Sequence, residues 1–262
     1  MKITEFLTNL GRSAITFWYF LGGTGYLFWQ CLCCMVTPPF SRKRIFEQAK
    51  KAGNDSFGIV ALVSLFIGFI YALQTAYFMA RIGSEIYIAS LVALSLVREL
   101  GPVITALVVA GRVGASNTAE LGTMQVTEQI DALETLGSNP VRYLVVPRFI
   151  ALAIMMPVLT LYADIIGIFG SYVICVYKLG ISSSMYIHVT GEALVYKDIF
   201  TGLLKTIIFG MIIAISSCYE GFNVEGGAEG VGKATTRAVV STFILIIAAD
   251  CFSTAIFYFL FP

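Results

Sequence analysis

Residues 57–80 read FGIVALVSLFIGFIYALQTAYFMA, a run with no charged side chain and one strongly polar one, Gln74. As a helix this run is about 36 Å long at ~1.5 Å per residue, enough to cross a hydrocarbon layer about 30 Å thick. Three further runs are long and predominantly apolar: 148–177, 199–219 and 238–261. A fifth, 86–111, is apolar apart from Arg98 and Glu99. Composition agrees, with 58% of the 262 residues hydrophobic and 13% charged; a soluble domain carries about 25% charge. The chain is therefore expected to be all-α, a polytopic membrane protein with five transmembrane helices and no soluble module. A net charge of +1 supplies no global field for nucleic acid.

Segment 13–36 is a sixth apolar stretch of a different kind. Lys2 and Arg12 precede it, and Arg42, Lys43, Arg44, Lys50 and Lys51 follow. Basic residues favour the cytoplasmic side, so both flanks point inward, which one crossing cannot satisfy. The segment is expected to lie in the interface or to dip in and return, with Trp18, Tyr19, Tyr26 and Trp29 at headgroup level. It does not read as a signal peptide: it is too long, and Thr37-Pro38-Pro39 is no small-residue cleavage site. Five crossings then put the N-terminus inside and the C-terminus outside. On that topology only Arg81, Lys178 and Lys197 of the 17 Lys and Arg residues fall in outer loops, and Arg98 and Lys205 within spans.

Between the second and third spans, 112–147 forms a cytoplasmic connection. Asn117 with Glu120 has capping-box spacing, Gly137 and Asn139-Pro140 provide a stop, and Val126, Ile130 and Leu133 share a helical face. Glu120, Glu128, Asp131 and Glu134 make this helix acidic. It either docks on a partner or is a solvated connector.

Arg98-Glu99-Leu100-Gly101-Pro102, Ala110-Gly111-Arg112-Val113-Gly114-Ala115, Ala119-Glu120-Leu121-Gly122-Thr123-Met124 and Val126-Thr127-Glu128-Gln129-Ile130-Asp131-Ala132-Leu133 resemble the motifs of the MlaE permease family. Asn139-Pro140, Pro147-Arg148 and the stretch from Gly232 to Val240 continue the likeness, which runs from about residue 55 to the C-terminus. The N-terminal part, 1–54, matches in character rather than in motif. The resemblance implies one permease domain over 1–262, with 55–262 as its transmembrane core. It implies a non-catalytic subunit of a lipid-moving ABC system in the cell inner membrane, with the C-terminus periplasmic. Implied partners are a second copy of the chain, cytoplasmic ATPase subunits holding ATP and magnesium, an MCE-domain substrate-binding protein, and phospholipid or a related lipid. No cofactor is expected in this chain. The resemblance also makes about 118–136 the coupling helix, with Glu120, Glu128 and Asp131 as ATPase-coupling residues.

Charges within spans are costly, at least about 2.5–3.5 kcal/mol each near the bilayer centre, and so should face protein or a wet cavity. Adjacent helical residues point about 100° apart, so Arg98 and Glu99 are expected to face different surroundings, one lining a cavity and one bracing a helix. Lys205 lies in the fourth span, and Asp198, seven residues earlier, is two turns away on the same face. Gln74, Arg98, Glu99, Asp198 and Lys205 are thus the candidate substrate-binding set, with Arg98 or Lys205 near a lipid phosphate; a purely structural ion-pair set is the alternative. Pro102 should bend its helix by removing a backbone donor. A carrier or channel using these charges as an ion relay is the competing function, though secondary transporters usually carry repeated halves, and no repeat is evident.

Gly227-Ala-Glu-Gly-Val-Gly232-Lys233-Ala234 approaches a nucleotide-binding loop but has Ala234 where Ser or Thr must hold magnesium, and it reads as a Gly-rich turn. His188 is the single histidine, and Cys31, Cys33, Cys34, Cys175, Cys218 and Cys251 have no metal-ligand spacing. They read as small apolar side chains.

Overall fold

The computed structural model describes residues 2–36, 42–81, 83–84 and 87–260. The Lys2 and Arg12 side chains and the Thr37-Pro38-Pro39 stretch, which enter the topology reading, lie outside what is described. Among the described residues there is no strand. Helix α1 spans Lys2–Val36 and α2 Arg42–Arg81. The second span is compound: α3 (Ile88–Ser95), a π-helical segment Leu96–Leu100, α4 (Gly101–Val109), a second π segment Ala110–Gly114, and α5 (Ala115–Val126). A short α6 (Gln129–Thr135) leads to a π turn at Val141–Val145 and the long α7 (Val146–Tyr177). On the opposite side α8 (Ser183–Ala193) precedes α9 (Tyr196–Phe222) and α10 (Gly227–Leu260). Among the described residues, five helices are long and apolar enough to cross a membrane: Arg42–Arg81, Ile88–Val126, Val141–Tyr177, Tyr196–Phe222 and Gly227–Phe259.

These helices outrun the apolar segments. The basic stretch Arg42–Lys51 is the first part of α2 rather than a loop. The sequence 227–234, expected as a turn, is helical from Gly227: the connection is residues 223–226, Gly226 and Gly227 are both at positive φ, and Lys233 pairs with Glu229 one turn back at 2.7 Å. No strand-to-helix phosphate loop exists there.

Lipid gives helices no hydrophobic reason to associate, so they pack through small residues that let backbones touch. The buried stripe of α2 is of this kind: Ala52, Ser56, Val60, Ser64, Gly68, Ala72 and Ala76, each four residues apart. It lies along α7, where a methyl on Gly170 would stand 2.6 Å from the Leu65 carbonyl oxygen and one on Gly68 would overlap the Gly167 carbonyl. Gly210 of α9 meets the Leu152 carbonyl of α7 in the same way. Gly202 of α9 abuts the Val97 carbonyl of the second span. These contacts fix the depth at which the charged residues of neighbouring spans meet.

Helix α1 is continuous from Lys2 to Val36, so the chain does not turn back within 13–36, and the re-entrant form of the expectation does not hold there. The segment contains no proline, and Thr24 ties back to the Phe20 and Leu21 carbonyls, keeping the helix intact across Gly22, Gly23 and Gly25. Phe20 packs edge-on to Tyr219 (5.6 Å between centroids) and Cys31 is fully buried, while Trp18, Tyr19, Tyr26 and Trp29 are exposed.

The connection between the second and third spans differs from the single helix 118–136. Helix α5 continues straight from the second span, so Asn117 is an interior, buried residue and makes no cap; the capping-box reading is corrected. The chain breaks at Thr127-Glu128, with Glu128 left-handed at φ 58, and resumes as α6. The break rotates Val126 off the face of Ile130 and Leu133: Val126 is exposed while Ile130 is buried. Gly137 does stop the second piece, at φ +72.

Candidate functional site

At the π segment Leu96–Leu100 the second span meets α9 and α10. Pro102 has no N–H to offer the carbonyl four residues earlier, that of Arg98. The chain answers with a π-helical turn rather than a simple bend, and Lys205 Nζ lies 3.4 Å from that Arg98 oxygen. The lysine is otherwise fully engaged: 2.6 Å to Glu99 Oε2, 3.0 Å to Asp250 Oδ1 and 2.7 Å to Thr254 Oγ1. Thr254 in turn donates to the Glu99 carboxylate at 3.2 Å. Lys205 is 2% exposed and Glu99 39%, so the cation is sealed in protein while its carboxylate partner reaches the open side. Arg98 makes a looser pair with Asp198, 3.6 Å, and is 45% exposed.

Of the sequence candidates, Arg98, Glu99, Asp198 and Lys205 therefore converge. They form two layers rather than one site: Arg98 with Asp198, and Lys205 with Glu99 and Asp250. Arg98 and Glu99 reach α9 at different points: Arg98 lies toward the open side beside Asp198, while Glu99 braces Lys205 and also meets Thr254 of α10. Gln74 stays apart, on the exposed face of α2 away from its buried stripe.

Asp250 and Thr254 escaped the sequence reading, as did Asp164, buried in α7. The signal was present: an acid inside an apolar span is as costly as Arg98, and the rule that flagged Arg98 applies to both. What the sequence hid was the pairing, since Lys205 and Asp250 are joined only by the packing of α9 on α10.

A second group of charges sits at the end of the bundle where α5, α6 and the start of α7 meet. Glu120 takes Arg148 Nη2 at 2.8 Å and Lys51 Nζ at 2.7 Å, tying α5 to α7 and α2. Arg148 is 3% exposed and also donates to the Leu144 carbonyl. Arg112 pairs with Asp55, and Arg237 with Glu220. Glu120 is thus an internal brace, whereas Glu128 and Asp131 are exposed. Asp131 and Glu134 line a pocket of about 640 Å³ together with Gln125, Ser138 and Asn139. Among the described residues no His/Cys/Asp/Glu cluster suits a metal ion, and His188 lies exposed on α8, 3.4 Å from Glu192.

Comparison with known proteins bears on this arrangement. The family model described as Permease MlaE matches residues 45–256. A probable ABC transporter permease protein of Rickettsia felis is 44% identical over 250 residues, 95% of this chain and 96% of that one. The intermembrane phospholipid transport system permease protein MlaE of Haemophilus influenzae is 35% identical over 260 residues, 98% of each chain. The chloroplastic protein TRIGALACTOSYLDIACYLGLYCEROL 1 of Arabidopsis thaliana is 39% identical over 216 residues, 82% of this chain and 62% of that one.

Proposed function

The chain belongs to the MlaE permease family, and we propose that it is the membrane subunit of an ABC system moving phospholipid or a related lipid between inner and outer membranes. The observation that carries this reading is the end-to-end likeness to the H. influenzae phospholipid permease, over 98% of both chains. The charge cluster fits the role. A cation at span depth, neutralised from below and flanked by a half-exposed Arg98 and Glu99, offers a polar patch in an apolar wall. A headgroup meets Arg98 there, and acyl chains meet the surrounding helix faces. ATP is hydrolysed on separate cytoplasmic subunits, which contact the connection around Glu128 and Asp131. A second copy of the chain completes the pathway, and an MCE-domain protein takes or supplies lipid on the outer side. The exposed apolar faces of α2 (Leu62, Phe66, Ile70) and α10 (Val240, Ile244, Ile247) are available to lipid or that second copy.

Reconstitution tests the reading. The chain, co-purified with its ATPase partner into proteoliposomes, should move a fluorescent phospholipid to acceptor vesicles only when ATP is present. A hydrolysis-dead ATPase should abolish transfer. An intact complex with no ATP-dependent transfer refutes the proposal.

A further inference from the structure

The α4–α7 interface holds an acid without a counter-charge. Asp164, 7% exposed, sits in the middle of α7, and its Oδ1 is buried with no hydrogen-bond partner. No Lys, Arg or His pairs with it among the described residues. The carboxyl lies hard against Gly101, where a methyl would overlap Oδ1. The same methyl would stand 2.9 Å from the carbonyl oxygen of Leu96, so the carboxyl and that carbonyl both border Gly101. The Leu96 carbonyl already accepts the Gly101 N–H in the π turn and keeps a second lone pair. The adjoining void, about 10 Å³ and lined by Ser64, Leu96, Leu100, Gly101 and Ile104, is barely one water in size and offers no cation. Successive spans run antiparallel, so with Gly101 opposite Asp164, Thr105 of α4 falls opposite Thr160 of α7. Both hydroxyls are likewise buried without a partner.

A buried carboxylate with neither a counter-charge nor a hydrogen-bond donor is costly, and a proton on it supplies a donor for a carbonyl beside it. We propose that Asp164 is a proton-binding site: its neutral carboxyl donates a hydrogen bond to the Leu96 carbonyl and so pins α7 to the π segment that carries Arg98 and Glu99. Asp164 is a positioning residue on this account. It acts on the charge cluster through the backbone of residues 96–100, and independently of which molecule is transported.

An infrared difference spectrum tests the proton directly. Wild-type protein at neutral pH should show a protonated-carboxyl stretching band that is missing in Asp164→Asn. The Asn amide also donates to Leu96, so Asp164→Asn should keep its Tm close to wild type, while Asp164→Ala should lose roughly 5 °C or more. Absence of the band in wild-type protein overturns the proposal even if Asp164→Ala does not fold. So does an Asp164→Asn variant as unstable as Asp164→Ala, or an Asp164→Ala variant as stable as wild type.

Discussion

Lys205 and Arg98 carry the same charge in adjoining layers of one cluster, yet their removal should have different consequences. Lys205 is sealed between two carboxylates and a hydroxyl. In Lys205→Met, Glu99 and Asp250 are left close together with no cation. Breaking a buried pair from one side costs about 3–5 kcal/mol, so the melting temperature of the purified protein and its yield should fall sharply. Arg98, half exposed and 3.6 Å from Asp198, should cost within about 1 kcal/mol when changed to Gln. Arg98→Gln should therefore assemble normally and lose lipid transfer, which thermal melting paired with a transfer assay reads out. Equal melting of both variants would contradict the two-layer geometry. The price of placing a charge in a span made Arg98, Glu99 and Lys205 legible from sequence. Asp250 passed unnoticed because one acid in a long apolar run does not disturb the run, and its partner lies on another helix.

At the scale of elements, apolar runs located all five spans, but their ends were not legible, because helices here continue past the membrane as charged, solvated extensions. The break at Glu128 had no sequence marker either: neither Gly nor Pro stands there, and a left-handed non-glycine residue costs roughly 1–2 kcal/mol. That break separates two roles within one acidic stretch. Glu120, on α5, braces Arg148 and Lys51. Glu120→Lys places a cation against the buried Arg148 guanidinium and should lower the stability of the membrane domain itself, by about 3 kcal/mol or more. Glu128→Lys and Asp131→Lys alter exposed positions and should leave melting unchanged while reducing recovery of the ATPase in pull-downs. Full ATPase recovery with both variants would remove this region from the interface. Close helix contacts give a parallel expectation: Gly202→Val drives a side chain into the Val97 carbonyl, which should separate α9 from the π segment and disrupt the Lys205 layer. Loss of yield and a lower melting temperature would register it.

Across the whole molecule, the placement of α1 sets how many times the chain crosses the membrane. At ~1.5 Å per residue its 35 residues reach about 52 Å, so length permits either a crossing or a position along the surface. Chemistry does not permit both. One face packs on α9 and α7 through Phe20, Leu27, Phe28 and Cys31, while the other carries Trp18, Tyr19, Tyr26 and Trp29, side chains that favour the headgroup layer. Crossing would also put either the Lys2–Arg12 end or the Arg42–Lys51 end outside, against the preference of basic residues for the cytoplasm. We therefore expect α1 to lie along the inner surface. The test is labelling of single-cysteine variants with a membrane-impermeant thiol reagent, in a background where the native cysteines, Cys33 and Cys251 above all because they are exposed, are replaced by Ser. Lys2→Cys and Arg42→Cys should both react only after the inner face is opened to the reagent. His188→Cys, on the exposed outer helix α8, should react in intact cells, as should a thiol placed after the C-terminus. Reaction of Lys2→Cys from outside with Arg42→Cys still protected would make α1 a sixth crossing, leave α2–α10 oriented as described, and move the aromatic face of α1 from the headgroups into the lipid or against a second copy.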